Sequence, residues 1–389
     1  MSGPRVAIVH ERFTEPGGSE RVVEQLHAMW PDATVHAGLV DRTALPAGLR
    51  DVDVRPSMLQ PCYRGGRRYA HLLPLLPAAM ARLDVSDADV VIASHHAFAN
   101  RVRPRPGALL ISYTHTPARW MWEPGFLSDE AGGRSGRLVL RAFAKTQQRA
   151  DVAAAGRADL VVANSRHVAG RIRRWWSRDA TVVAPPVDIG RFTPDPAVAR
   201  ENFFLLAGRL VPYKRPHTAA AAARRSGTKL VVVGEGRMRA AVAAAGGSNV
   251  ELLGPVDDNT LLDLYRRCRA VVLPGEEDFG IIPVEAQACG TPVLARGVGG
   301  VQDSVVPGRT GTLYAARDDS DEIDALAHAM HTFDGSIFDP AVLRAHALNF
   351  SPQAFHARFR AVVAPLMERH GHPASLMRPM SVPGPGTGR

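Results

Sequence analysis

The chain alternates short apolar runs with longer helical stretches, and it does so twice. Arg5-Val6-Ala7-Ile8-Val9-His10 reads as a buried strand. The loop Thr14-Glu15-Pro16-Gly17-Gly18-Ser19 follows, and a helix starts near Ser19 with Glu20 in its first turn. Apolar runs at 90–93, 108–113 and 160–163, with a long helix over 134–157, continue the rhythm of a parallel sheet. Pro185 and Pro186 interrupt strand and helix alike, which places a linker within 181–188. The pattern then restarts, with strands at 203–207, 229–233, 250–253, 270–273 and 292–295 and helices over 260–268 and 283–288. A chain of 389 residues exceeds one ordinary core. The expected architecture is α/β, with two Rossmann-like domains whose parallel sheets face a central cleft, where the ligand sits at the carboxyl ends of the strands.

The expected boundaries are 1–184 for the first Rossmann-like domain and 189–345 for the second. A helix over 346–370 follows, with Ser351 as its cap and Phe355, Phe359, Val362, Val363 and Leu366 apolar. The tail 371–389 is rich in Pro, Gly and Ser, a composition expected to be disordered.

Composition narrows the function classes. Cys62, Cys268 and Cys289 are few, odd in number and without metal-ligand spacing, as expected of reduced thiols in a cytoplasmic protein. The apolar stretch 6–9 is too short for a signal peptide, and the run 72–83 contains Pro74 and Pro77, so no membrane crossing is expected. The net charge of +9 suggests an anionic partner, either nucleic acid or lipid head groups. Nearly all of it is arginine, with lysine only at 145, 214 and 229, which makes Lys214 conspicuous.

Two clusters carry the chemistry. Gly208-Arg209-Leu210-Val211-Pro212-Tyr213-Lys214-Arg215 follows a strand, and Arg209 and Lys214 suit a diphosphate, the one as a fork and the other as a point charge. Glu276-Glu277-Asp278-Phe279-Gly280-Ile281-Ile282-Pro283-Val284-Glu285 sets a glutamate on a loop before a helix and a second one about a turn inside it. Gly280 allows close backbone approach, and the helix start offers N–H groups to an anion. Glu277 would face a sugar, and Glu285 would accept from ribose hydroxyls. An acidic helix start is common for its dipole alone, and two basic loop residues are common on a surface. Their joint occurrence is what points to a nucleotide-diphosphate sugar.

Weaker features accompany these. Pro16-Gly17-Gly18-Ser19 would let phosphate and acceptor approach the backbone, yet it is neither Gly-x-Gly-x-x-Gly nor a P-loop. Tyr113-Thr114-His115-Thr116-Pro117-Ala118-Arg119-Trp120-Met121-Trp122 gathers polar and aromatic groups after a strand. There His115 would orient the reacting sugar, and Arg119 and Trp120 would shape the acceptor side. His95 and His96 read as structural. Asp51-Val52-Asp53 and Asp87-Ala88-Asp89 spell Asp-x-Asp, a pattern frequent by chance, and no zinc-type cluster exists, so no metal site is assigned. Arg137, Arg141, Lys145 and Arg149 form a basic stripe, with further patches at Arg64, Arg67, Arg68 and at 171–176. A solvated face explains such a stripe, as does docking on anionic membrane.

At these residues the chain resembles the retaining glycosyltransferases of family GT4, with the GT-B fold, over roughly 5–370 and most strongly over 208–292. The resemblance implies that Arg209 and Lys214 bind the diphosphate and that Glu277 and Glu285 are the paired glutamates. It also implies that Gly17 and Gly18 form the glycine loop and that His115 lies near the reacting sugar. Val256 and Asp257, within Gly254-Pro255-Val256-Asp257-Asp258, would contact the base, and Phe279, Gly280, Ile281 and Ile282 would surround diphosphate and ribose. His-Thr-Pro-x-Arg is similar to bacterial surface-polysaccharide mannosyltransferases, which implies GDP-mannose as donor and a glycan or lipid-linked acceptor. Such enzymes need no cofactor and no metal, their C-terminal helix crosses back to the first domain, and they displace on the front side with retention. The expected place is the cytoplasm, with peripheral contact at the inner face of the plasma membrane. Three rivals stand beside this reading: a UDP-sugar-dependent GT-B enzyme, a non-catalytic sugar-nucleotide regulator, and a basic nucleic-acid-binding protein. The last lacks any helix-turn-helix, RNP or zinc-finger pattern.

Overall fold

The computed structural model describes residues 3–126, 134–318 and 321–372; most of the tail read as disordered thus lies outside the described residues. The chain divides into two units. One comprises the described parts of Met1–Pro186 and Pro352–Arg389, and the other is Val187–Ser351.

The first unit holds a seven-stranded parallel sheet in the order β3-β2-β1-β4-β5-β6-β7. Its strands are β1 Val6–Phe13, β2 Thr34–Val40, β3 Val54–Pro56, β4 Val90–His95, β5 Leu109–Thr114, β6 Leu160–Ala163 and β7 Thr181–Val182. Side chains alternate between faces, as a pleat requires. Val6, Ile8, Val90, Ile92, Leu109 and Ile111 enter one core, and Ala7, Val9, Val91, Ala93 and Leu110 enter the other. Neighbouring β1 and β4 lead in opposite directions across the sheet, the switch point at which such sheets place ligands.

The helix Pro352–Arg369 completes the first core. Phe355, Phe359 and Val363, spaced four apart, pack with Val22, Leu26, Met29 and Trp30. The rings of Phe355 and Phe359 also meet Tyr113, whose hydroxyl donates to the Val183 carbonyl at 3.0 Å.

The second unit is a six-stranded parallel sheet in the order β10-β9-β8-β11-β12-β13. The strands are β8 Phe203–Ala207, β9 Lys229–Val233, β10 Val250–Gly254, β11 Ala270–Leu273, β12 Val293–Arg296 and β13 Gly311–Tyr314. β8 and β11 form its switch point.

The structure corrects the reading in several places. β1 continues through Phe13, past the expected end at His10. The segment read as linker begins with β7, which pairs with β6, because Thr181 and Val182 still have a sheet edge to join. The residues 346–351 assigned to the last helix belong to the second unit, where Pro340–Ala347 is a helix of its own and the Val187 N–H donates to the Phe350 carbonyl at 2.8 Å. β2, β3 and β13 are further strands beyond those read.

The basic patches are also revised. Arg141, Lys145 and Arg149 are exposed on the helix Arg134–Gly156, beside exposed Leu138 and Val139. The side chains of Arg67, Arg68 and Arg137 lie outside the described residues. Arg171 does not join a surface patch: it is buried, with its guanidinium 3.2 Å from the Glu123 carboxylate and donating to Thr116 Oγ1. No helix among the described residues is long and apolar enough to cross a membrane.

Candidate active site

In the second unit, loops leaving β8, β9, β11 and β12 interlock through glycines. Gly275 leaves no room for a side chain, since a Cβ there would stand 2.5 Å from Lys214 Cα and 2.6 Å from the Tyr213 carbonyl oxygen. A Cβ on Gly299 would meet the Glu277 carbonyl oxygen at 2.6 Å, and the Gly300 N–H donates to that same oxygen at 2.7 Å. The loop carrying Lys214 is thus pressed against the loop carrying Glu277.

The outcome is a direct ion pair. Lys214 Nζ lies 2.9 Å from Glu277 Oε1, with both side chains largely withdrawn from solvent. Burial alone would lower the lysine pKa, but attraction to Glu277 and to the Tyr213 hydroxyl outweighs it, and the net direction is upward. Lys214 therefore stays charged. Arg209 donates to the Tyr213 hydroxyl at 3.2 Å, and burial pushes that phenol's pKa up.

Gly280 adopts φ 89°, a left-handed conformation that suits glycine, and it turns the chain into the helix Ile281–Ala288. The N-cap residue is Gly280 itself, which has no side chain to cap the first turn. The Gly208 Cα reaches toward both elements, since a Cβ there would lie 3.1 Å from Ile282 Cδ1 and 3.5 Å from Lys214 Nζ. A helix start, Lys214 and Glu277 therefore converge, an arrangement suited to a phosphate group.

Glu285 is buried and accepts from the Tyr265 hydroxyl at 3.0 Å. Burial, reinforced by the adjacent carboxylate, pushes the Tyr265 pKa well up, so this phenol remains a donor. Tyr265 was not read from the sequence, because one tyrosine among the apolar residues of a helix carries no signal. Phe279 is turned inward, 5.5 Å from the Phe350 ring, so it packs the core and only its backbone can face a ligand. Arg215, beside Lys214 in sequence, points elsewhere and pairs with buried Glu322. Val256 is half-buried after the edge strand β10, while the exposed Asp257 carboxylate accepts from the N–H groups of Asn259 and Thr260, capping the helix Asp258–Arg267.

In the first unit, Gly17 precedes the helix Gly18–Met29 at the carboxyl end of β1. His115 follows β5 and is half-buried. Its Nε2 lies 2.8 Å from Ser94 Oγ, and burial pushes its pKa down to about 3, so it is neutral at physiological pH. His10, Ser94 and Glu20 lie behind it, none of them read as site residues. The acceptor-side expectation is narrowed by bonds already made. Arg119 is paired with Glu123 at 2.9 Å, and Trp120 stacks on Phe143 with centroids 5.7 Å apart. Of the Asp-x-Asp carboxylates, Asp89 accepts from the Arg5 N–H and pairs with Arg105, and Asp53 lies near Arg55.

Comparisons with known proteins bear on both units. Residues 16–191 match the family Glycosyltransferase Family 4, and residues 193–332 match Glycosyl transferases group 1. A D-inositol 3-phosphate glycosyltransferase 2 of Catenulispora acidiphila is 34% identical over 206 residues, 44% of this chain and 47% of that protein. The D-inositol 3-phosphate glycosyltransferase of Mycobacterium tuberculosis strain F11 is 34% identical over 194 residues, 44% of this chain and 40% of that protein. The chain spans about half the length of the curated relatives it matches. Among solved structures, Anabaena Alr3699/HepE in complex with UDP and glucose has a TM-score of 0.67 at 19% identity, over 92% of this chain and 99% of that one. Sucrose-phosphate synthase from Thermosynechococcus elongatus has a TM-score of 0.62 at 19% identity, over 94% and 100%. At such identities the likeness is one of fold. The two family matches together take in most of the chain, and with two parallel-sheet, Rossmann-like units they place it in the GT4 glycosyltransferases of the GT-B fold.

Proposed function

We propose that the protein is a retaining, metal-independent glycosyltransferase whose second unit binds a nucleoside diphosphate sugar and whose first unit carries the acceptor. The observation that supports this best is the Lys214–Glu277 pair at 2.9 Å, beside Arg209 and the glycine-led start of the helix Ile281–Ala288. Lys214 and Arg209 would stabilise the leaving diphosphate as its charge develops. The anomeric carbon's bond to the phosphate oxygen breaks, a bond to the acceptor oxygen forms on the same face, and the acceptor's proton passes to the leaving phosphate. Glu277 holds Lys214 in place before the donor arrives and faces the sugar afterwards. Glu285, steadied by Tyr265, is left to accept from ribose.

The donor we favour is GDP-mannose, on the likeness of His115-Thr116-Pro117-Ala118-Arg119, with a glycan or lipid-linked acceptor in cell-envelope or polysaccharide synthesis. A UDP-sugar is the second reading, favoured by Alr3699/HepE, which was crystallised with UDP, UDP-glucose, and UDP with glucose. Peripheral docking on anionic membrane at the cytoplasmic face would use Arg141, Lys145 and Arg149 with the exposed Leu138 and Val139.

Calorimetric titration with GDP and with UDP, without metal and then with magnesium, tests the reading. Tight GDP binding indifferent to magnesium supports it. A UDP preference moves the donor assignment, strict magnesium dependence removes the metal-independent mechanism, and binding of neither nucleotide overturns the catalytic reading.

A further inference from the structure

Behind His115 runs a chain of buried polar groups drawn from four elements. Glu20 stands in the first turn of the helix Gly18–Met29, His10 on β1, Ser94 on β4 and His115 just after β5. Strand register makes the alignment: His10 pairs with Ser94, and Ser94 with Tyr113, two residues before His115. The contacts are Glu20 Oε1 to His10 Nε2 at 3.4 Å, His10 Nδ1 to Ser94 Oγ at 3.1 Å, and Ser94 Oγ to His115 Nε2 at 2.8 Å. His10 and Ser94 have no exposure, and Glu20 is buried.

Hydrogen-bond inventory fixes the direction of this chain. An ionised carboxylate only accepts, so His10 Nε2 carries the proton toward Glu20. Burial works against ionisation of Glu20, but the hydrogen bonds from His10, from its own backbone N–H and from the Ser19 hydroxyl help to hold its pKa below the ordinary value. An imidazole that carries one proton and gives it to Glu20 offers only a lone pair at Nδ1, and the Ser94 hydroxyl then donates to it. With its one proton committed, Ser94 Oγ accepts from His115, so the His115 proton sits on Nε2. His115 Nδ1 is left as a lone pair, and among the described residues it has no hydrogen-bond partner.

We propose that Glu20, His10 and Ser94 are positioning residues that lock His115 in the Nε2–H tautomer, so that Nδ1 accepts a hydrogen bond from a sugar hydroxyl. The use made of Nδ1 rests on the glycosyltransferase reading; the tautomer does not. The arrangement also explains why a histidine serves here: a neutral acceptor of fixed direction binds a hydroxyl without adding charge beside a diphosphate. Gly17 belongs to the same construction, since a Cβ there would lie 2.8 Å from Glu20 Oε2 and displace the carboxylate.

Nitrogen-15 NMR of the imidazoles in the ligand-free full chain, with His115 assigned by loss of its signals in His115→Gln, tests the lock. The expected result at pH 7 is one protonated and one unprotonated nitrogen for His115, with the proton on Nε2. Ser94→Ala, which removes a hydroxyl and adds nothing, should convert this to a mixture of tautomers and shift the His10 Nδ1 signal, which loses its donor, while histidines outside this chain of groups keep their positions. A proton on Nδ1 in the wild type, or an unchanged single tautomer in Ser94→Ala, overturns the lock. Turnover tests the purpose separately. Ser94→Ala should lower kcat roughly ten- to a hundredfold with KM little changed, the scale of removing an imidazole's outer partner. Unmoved kcat beside altered resonances would leave the lock standing and remove its role at the sugar.

Discussion

Two clusters of ionisable groups, one in each unit, are buried in opposite ways. In the first, burial prevails. His95 and His115 are pushed down to about 3 and His96 well below its ordinary value, while Asp151 is pushed up to about 6; in each case loss of solvent is the largest cause. These groups answer with neutral hydrogen bonds. The Asn100 N–H donates to His95 Nδ1 at 3.3 Å, and the indole N–H groups of Trp122 and Trp176 donate to Asp151 Oδ2 at 3.1 and 2.7 Å. In the second unit charge meets charge: Lys214 pairs with Glu277, and Glu322 is buried beside Arg215 and Arg296. Where a carboxylate faces it, Lys214 keeps its charge; where loss of solvent dominates, His95, His96 and His115 stay neutral.

The sharpest way to break this contrast is to remove a cation from the second unit. Lys214→Ala and Arg209→Ala are each expected to lower kcat about 10²–10³-fold, the scale of deleting one donor at a developing charge. The Lys214 variant also strands Glu277 without its partner. Steady-state kinetics with a nucleotide sugar, beside calorimetry with the nucleoside diphosphate, checks this. Near-normal turnover in both variants would end the role assigned to them.

Both cations were legible in the sequence because they stand on one loop after a strand, where local order already implies proximity. The strands β8, β9 and β11 were legible for a similar reason, being short apolar runs covered on both faces. β2 was not, since His36 and Gly38 interrupt its apolar pattern, although every residue of it except Thr34 is buried. Tyr265 and the chain from Glu20 to His115 escaped because they depend on strand register and on which helix covers which strand end. One-dimensional spacing does not encode either. The segment 181–182 shows the reverse error, in which prolines downstream concealed a strand that joins the sheet only through its neighbour β6.

A smaller effect probes the first unit through pH. Asp151 is buried, and its pKa of about 6 in the fold lies above the roughly 3.9 of an unfolded chain. Between those values the folded state holds a proton that the unfolded state lacks, so this group adds stability as pH falls through the window. His95 and His115 act oppositely, because below about 6.5 the unfolded chain takes up protons that the fold refuses. Arg101 attracts the Asp151 charge and Glu11 repels it. Asp151→Asn keeps an acceptor for both indoles and removes only the titration. Its stability should therefore fall more steeply than wild type from pH 6 to pH 4, by up to about 1.4 kcal/mol per pH unit. Denaturant unfolding at pH 4.5, 5.5 and 7 reads the slope, and equal slopes in the two proteins would show that Asp151 is already ionised throughout.

The smallest effect decides what Asp257 does. Its carboxylate accepts from the N–H groups of Asn259 and Thr260, and these bonds hold its pKa below the ordinary range. A cap of this kind tolerates asparagine and not alanine. Asp257→Ala is expected to lower Tm by about 2–4 °C, and Asp257→Asn to restore most of that. If only the backbone at Val256 and Asp257 meets the nucleotide base, Asp257→Asn should bind the nucleoside diphosphate as the wild type does. A clear loss of affinity in Asp257→Asn, with Tm intact, would instead assign the carboxylate to the ligand. That outcome would give the second unit a charged group that recognises a base, beside the pair proposed to meet the phosphate.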